Sequence, residues 1–199
     1  MLDLKPSTFE EFEREAERGN VVPVARSVLA DLQTPVGAFL RIADDAQYAF
    51  LLESIEGGER LARFSFLGAN PWMVVRGQGT ETIVEKGGAL EVLAQTAVDF
   101  LREYFCHQKL SRRAGLAPLS GGAVGYLGYD AARWFEPVLD VDGLTPRETD
   151  DAVLMFFRNI VAFDRVRQQM EITAIVFTDE AAGDRDKLRE LYEQALAET

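Results

Sequence analysis

Glu53 and Ser54 stand where an otherwise apolar run, Tyr48-Ala-Phe-Leu-Leu-Glu-Ser54, comes to a stop. A carboxylate accepts charge-assisted hydrogen bonds from an ammonium group, and a hydroxyl both donates and accepts. The leucines before them, Leu51 and Leu52, supply a wall for an aromatic or aliphatic body. Together these are the parts of an amino-acid site. The same residues also have a purely structural reading. Glu53 then pairs with a nearby arginine, Arg60 and Arg63 being available, and Ser54 caps a turn. The residues by themselves leave both readings open.

Other constellations point to less chemistry. Gly122, Gly125 and Gly128 recur at every third position, which is not the G-x-G-x-x-G spacing of a dinucleotide loop. Gly77-Gln78-Gly79 also fails that pattern, since Thr82 stands where the third glycine belongs. These glycines are expected to let a strand pass close to a neighbour. A nucleotide site would need Gly121 to Gly128 to open onto a helix N-terminus. One histidine, His107, and one cysteine, Cys106, rule out a typical zinc site and any intrachain disulfide. Adjacent on a helix they point about 100° apart, so they make no nucleophile–base pair, and Cys106 reads as a small packing residue. The acidic run Asp140, Asp142, Glu148, Asp150 and Asp151 lacks calcium-loop spacing and reads as solvated loop, as does Arg112-Arg113.

The elements that must position these residues follow from periodicity. Ser7 and Glu10 fit a capping box ahead of an amphipathic helix carrying Phe9, Phe12 and Ala16. The segment VVPVARSVLA contains Pro23 and predicts an edge or irregular strand; TPVGAFLRI predicts a short helix with Pro35 in its first turn. Apolar residues on both alternating sets of Tyr48–Ser54 predict a strand covered on both faces. RFSFLG, WMVVRG and TETIVEK read as successive strands. Residues 89 to 108 follow the helical period, GGAVGYLGYD a strand and turn, and AARWFE one helical turn. Two or three long strands follow, with a hairpin at Asp164 to Gln169, then a C-terminal helix lined by Leu188, Leu191, Tyr192 and Ala195. That order predicts an α+β fold with a largely antiparallel sheet.

The 199 residues are 47% hydrophobic and 27% charged, enough for a sizeable core in one domain or two small ones. Lys and Arg number 21 against 33 Asp and Glu, a formal charge of -12, which disfavours nucleic acid and anionic membrane as partners. The N-terminus lacks the basic segment and apolar run of a signal peptide, and no apolar stretch reaches membrane-spanning length, which predicts a cytoplasmic protein.

FLLESIEGGERLARFSFLGANP (Phe50–Pro71), GGAVGYLGYD and DDAVLMFF, in that order, resemble the N-terminal landmarks of anthranilate synthase component I, the large subunit of a chorismate-utilising lyase. The resemblance spans nearly the whole chain. It implies an α/β/β/α sandwich and a single N-terminal regulatory domain over residues 1–199, the C-terminal chorismate-binding catalytic domain being absent. It implies conversion of chorismate to anthranilate and pyruvate by the full-length enzyme, with ammonia from a glutamine amidotransferase subunit. Magnesium would be bound by the absent domain, no catalytic or metal residue would lie in this fragment, and the fragment alone would be inactive. It also implies feedback inhibition by L-tryptophan in a pocket carrying Leu52, Glu53 and Ser54, with Arg63 and Ser65 completing or supporting it. The large subunit of aminodeoxychorismate synthase shares the landmarks less well, and a stand-alone amino-acid-binding module is the alternative from another class.

Overall fold

The computed structural model describes residues 3–53, 63–139 and 149–199. In chain order the elements are β1 (Asp3–Lys5), α1 (Phe9–Ala16), β2 (Val21–Leu29), α2 (Pro35–Ala43), β3 (Ala49–Glu53), β4 (Phe64–Ala69), β5 (Met73–Gln78), β6 (Glu81–Lys86) and β7 (Ala89–Leu93). There follow α3 (Ala97–Cys106), β8 (Gly122–Leu127), β9 (Ala152–Phe157), β10 (Asn159–Asp164), β11 (Gln169–Phe177) and α4 (Arg185–Glu198), with short 3-10 turns at Tyr129–Trp134, Pro137–Leu139 and Thr178–Ala181. The fold is α+β with two antiparallel sheets, of strand order β1-β2-β11-β10-β4-β3 and β7-β6-β5-β9-β8. The chain forms two compact units: Met1–Pro71 with Gln108–Gly122 and Phe157–Thr199, and Trp72–His107 with Ala123–Phe156.

In the first unit, α1 begins one residue later than the capping box predicts. Thr8 is the N-cap, accepting from the Glu11 N–H at 3.2 Å, and Glu11 reaches back to the Ser7 N–H at 2.8 Å. The first bond is that of a capping box moved one position along the chain; the second goes to the residue before the N-cap, whose hydroxyl also donates to Glu11 at 2.8 Å. Phe9 and Phe12 of α1 and Tyr192 and Ala195 of α4 bury themselves on Val22 and Val24 of β2 and Ala174 and Val176 of β11. These strand residues share one face by register, Val22 opposite Val176 and Val24 opposite Ala174. β2 is interior rather than an edge strand, lying between β1 and β11. Pro23 is tolerated because β1 covers only Ala25–Ser27 of it, so no β1 partner requires the missing N–H.

The expectation of a strand covered on both faces holds for the first part of β3 and not for its end: Ala49, Phe50 and Leu51 are buried or half-buried, and Leu52 and Glu53 are exposed. In the sheet β3 is an edge strand, paired among the described residues with β4. Phe50 is buried, its ring 4.8 Å from Phe157, whereas Leu52 is 46% exposed. Opposite Phe50 stands Gly68, where a Cβ would come within 2.7 Å of the Phe50 ring. The glycine of the RFSFLG motif is thus space reserved for the aromatic of the preceding strand.

The second unit holds Met73, Val75, Val84 and Phe156 in its core, with Phe100, Leu101 and Tyr104 of α3 packed against them. Residues 89 to 108, expected as one helix, divide into β7 and α3. Lys86 and Ala89 are joined by Gly87-Gly88, both at positive φ (58° and 81°), the two-residue hairpin that returns the chain as a strand. Helical spacing of Leu90, Leu93 and Ala94 carried the wrong period, and the glycine pair was the stronger signal. A further Cβ at Gly125 of β8 would meet the Val153 carbonyl oxygen at 1.9 Å, the close passage expected of that glycine. The strand leads into the 3-10 turn at Tyr129, not an α-helix, so the phosphate-cradle geometry is not formed. Two further expectations are corrected. Cys106 is exposed, its thiol donating to the Glu103 carbonyl, because it sits in the last turn of α3. Arg113 is a largely buried tie between elements rather than a solvated loop residue.

Candidate functional site

The register of β3 on β4 sets Glu53 opposite Ser65, and that of β4 on β10 sets Ser65 opposite Phe163. Side chains directly opposite one another share a face. Just past β10, the Arg165 N–H donates to the Arg63 carbonyl at 2.9 Å, adding one more rung to the ladder. The Arg165 side chain crosses β4 to reach β3. Its guanidinium donates to the Glu53 carboxylate and, at 3.1 Å, to Ser65 Oγ. Ser65 Oγ in turn donates to Glu53 Oε1 in a long contact of 3.5 Å. The hydroxyl is fully buried, while the charged side chains remain partly open, Glu53 at 27% and Arg165 at 39% exposure. The result is a cation and an anion at a sheet edge, both touching one buried hydroxyl.

Beside this cluster, Asp164 gathers four donors. Arg63 donates from Nε at 3.0 Å and also from its terminal nitrogen, and the Val166 and Arg167 N–H groups donate at 3.1 Å each. The Arg63 guanidinium also lies 4.8 Å from the centre of the Phe64 ring. Burial pushes the Asp164 carboxyl up, but the Arg63 hydrogen bond and charge and the two backbone donors outweigh it, leaving the group below its ordinary range. A carboxyl so depressed stabilises the fold above the ordinary aspartate range, and that contribution is lost as pH falls through the folded value. The urea midpoint of the native protein should therefore exceed that of Asp164→Asn at neutral pH, and the gap should narrow between about pH 4 and pH 2. A gap independent of pH would show that the ionised carboxylate is not the source of the difference.

Of the residues the sequence singles out, the structure brings Glu53 and Ser65 together. Leu52 lies on the same strand but on the opposite face, cross-strand from Phe66. Arg63 is turned toward Asp164 and Phe64, on the face opposite Ser65, so its part is support of the neighbouring hairpin rather than contact with Glu53. Ser54 and Arg60 lie outside the described residues. Among the described residues the arginine that pairs with Glu53 is Arg165, 112 positions along the chain, rather than the nearby Arg63. The hairpin bearing it is legible as Asp164–Gln169, but which strand it faces is not.

A separate cleft of about 1040 Å³ in the first unit is lined by Ser27, Phe64, Ala162, Asp164 and Glu171 among others. By register these share the face opposite Ser65 and Glu53, so the cleft is distinct from the Glu53 cluster. Of the acidic run, Asp150 pairs with Arg76 at 3.3 Å and Asp151 accepts from the Gly79 N–H at 2.8 Å; Asp140, Asp142 and Glu148 lie outside the described residues. Among the described residues no three His, Cys, Asp or Glu side chains converge as a metal site, and no helix is long and apolar enough to cross a membrane.

No family model matches the chain. Among curated proteins it is similar to anthranilate synthase component 1 of Synechocystis sp., 35% identical over 188 residues, which is 94% of this chain and 36% of the relative. The protein of the same name from Pseudomonas putida is 34% identical over 195 residues, 96% of this chain and 39% of the relative. The chain thus spans little more than a third of the length of these relatives. Among solved structures, anthranilate synthase component I from Streptococcus pneumoniae TIGR4 matches with a TM-score of 0.43 at 24% identity, over 84% of this chain and 36% of that one.

Proposed function

We propose that this chain, homologous over nearly its whole length to the N-terminal part of anthranilate synthase component 1, is the tryptophan-responsive region of a lyase that makes anthranilate and pyruvate from chorismate. In this reading the ammonia comes from glutamine through an amidotransferase partner, and the enzyme works in the cytoplasm. Chorismate and magnesium are handled by a part of the enzyme beyond this chain, and these residues bind the regulator. The observation that carries the reading is the pairing of the Glu53 carboxylate with the buried Ser65 hydroxyl at the end of the LLES strand. A partly exposed carboxylate at the end of an apolar edge strand suits the ammonium of an amino acid, and Ser54, next in the sequence, is proposed as a further polar contact. Control is then a coupling free energy: tryptophan binds the state of the enzyme that is less competent toward chorismate and draws the population to it.

The test is Glu53→Gln in the full-length enzyme. Glutamine keeps the shape and an acceptor for Ser65 but loses the charge that an ammonium requires. The L-tryptophan concentration giving half inhibition should rise roughly 10- to 100-fold, the range for a hydrogen bond to a charged group, with the uninhibited rate little changed. Ser54→Ala should shift inhibition in the same direction. Unchanged inhibition in both variants would remove the assignment of this site.

A further inference from the structure

We propose that Arg165 is the second half of the amino-acid site. It takes the ligand's carboxylate while Glu53 takes the ammonium, and the Glu53–Arg165 ion pair is the site closed upon itself. This rests on the reading of Glu53 as an amino-acid contact. An α-amino acid is a zwitterion, and the Glu53–Arg165 pair presents its complement, an anion and a forked cation joined across one sheet edge. Insertion of the zwitterion would exchange one ion pair for two and leave no charge uncompensated. An amine without a carboxylate would break the Glu53–Arg165 pair and bring Arg165 no carboxylate in exchange. An acid without an ammonium would do the same to Glu53. The cluster therefore selects for ligands carrying both charges.

Two features of the geometry keep the hairpin in place when the pair opens. The backbone of Arg165 is held by its N–H bond to the Arg63 carbonyl, so the long side chain can swing while the hairpin stays in register. Ser65, buried on the middle strand, touches both charged groups and gives each a fixed neutral partner when they part. Both charged side chains are partly solvent-exposed, so the ion pair between them is only a weak obstacle to a ligand. Arg63 does not fill this role, because Asp164 already holds its fork.

The experiment is calorimetric titration of the full-length protein with L-tryptophan, tryptamine (no carboxylate) and indole-3-propionate (no ammonium). Native protein should bind L-tryptophan at least about tenfold more tightly than either analogue. Arg165→Gln should weaken L-tryptophan binding roughly 10- to 100-fold yet leave tryptamine unchanged or tighter, erasing the preference. Arg165→Lys, which keeps the charge without the fork, should fall between. If Arg165→Gln binds L-tryptophan as well as the native protein does, or better, while Glu53→Gln does not bind it, Arg165 only competes for Glu53; the proposal then fails and the Glu53 site stands. If Glu53→Gln also binds normally, both fail. Should Arg165→Gln not fold, equal binding of L-tryptophan and tryptamine by the native protein overturns the proposal by itself.

Discussion

Replacing Arg113 with alanine should lower the stability of the protein by about 3–5 kcal/mol, the cost of breaking a buried ion pair by deleting one partner. Arg113 and Glu15 are both largely buried, at 13% and 14% side-chain exposure, and the guanidinium reaches both Glu15 oxygens at 2.9 and 3.1 Å. The same guanidinium donates to the Pro23 carbonyl at 3.0 Å and to the Lys5 carbonyl. One side chain thus ties α1, β1 and β2 to the segment after α3. Its loss would leave the largely buried Glu15 carboxylate without its ion pair and the part-buried Pro23 carbonyl without this donor, each carrying a desolvation penalty. Arg113→Lys should recover only part of the loss, since one ammonium cannot span the three acceptors that the five N–H donors of a guanidinium can. The double variant Glu15→Leu with Arg113→Met should recover more, because it removes the unpaired charge, though not all, because the part-buried Pro23 carbonyl still loses this donor. Equilibrium urea unfolding decides it. A loss below about 1 kcal/mol would place Arg113 among ordinary surface pairs.

Phe12→Ala should have an effect of similar size, about 3–5 kcal/mol. Phe12 is completely buried, its ring 5.0 Å from Tyr192 and 6.2 Å from Phe9. These three rings join α1 to α4 over the apolar face of β2 and β11. Truncation removes the transfer free energy of the ring and leaves a cavity that two helices and a sheet cannot fully close. Tyr192 is constrained further by its hydroxyl, which donates to the Pro6 carbonyl at 3.1 Å, so it is not free to move into the space. Phe12→Leu should cost far less, since most of the volume is kept. Both chain tryptophans, Trp72 and Trp134, belong to the second unit, so far-UV circular dichroism rather than fluorescence should follow this loss. A midpoint shift equivalent to less than about 1.5 kcal/mol would show that the cavity collapses or that the rings are not a shared core.

Features that depend on near neighbours along the chain were legible in the amino-acid order. Alternation and turn chemistry located most strands, the β10–β11 hairpin, and the short helix opened by Pro35, because side-chain periodicity and turn residues act within a few positions. The LLES strand end was visible as a carboxylate and a hydroxyl at the close of an apolar run. Local signals also misled where two periods overlapped: Leu90 and Leu93 suit a helix, yet the Gly87-Gly88 turn makes that stretch β7. Which strands lie side by side, and in what register, emerged with the folded chain alone. That choice set Glu53 opposite Ser65, moved Arg63 to Asp164, and brought Arg165 to Glu53 from 112 residues away. It likewise turned Arg113 from a loop residue into a largely buried tie between elements. The physical reason is that a charge carries no directional preference along the sequence. An acidic residue among several arginines has several possible partners, and only the pairing of strands, driven by burial of apolar faces, selects one.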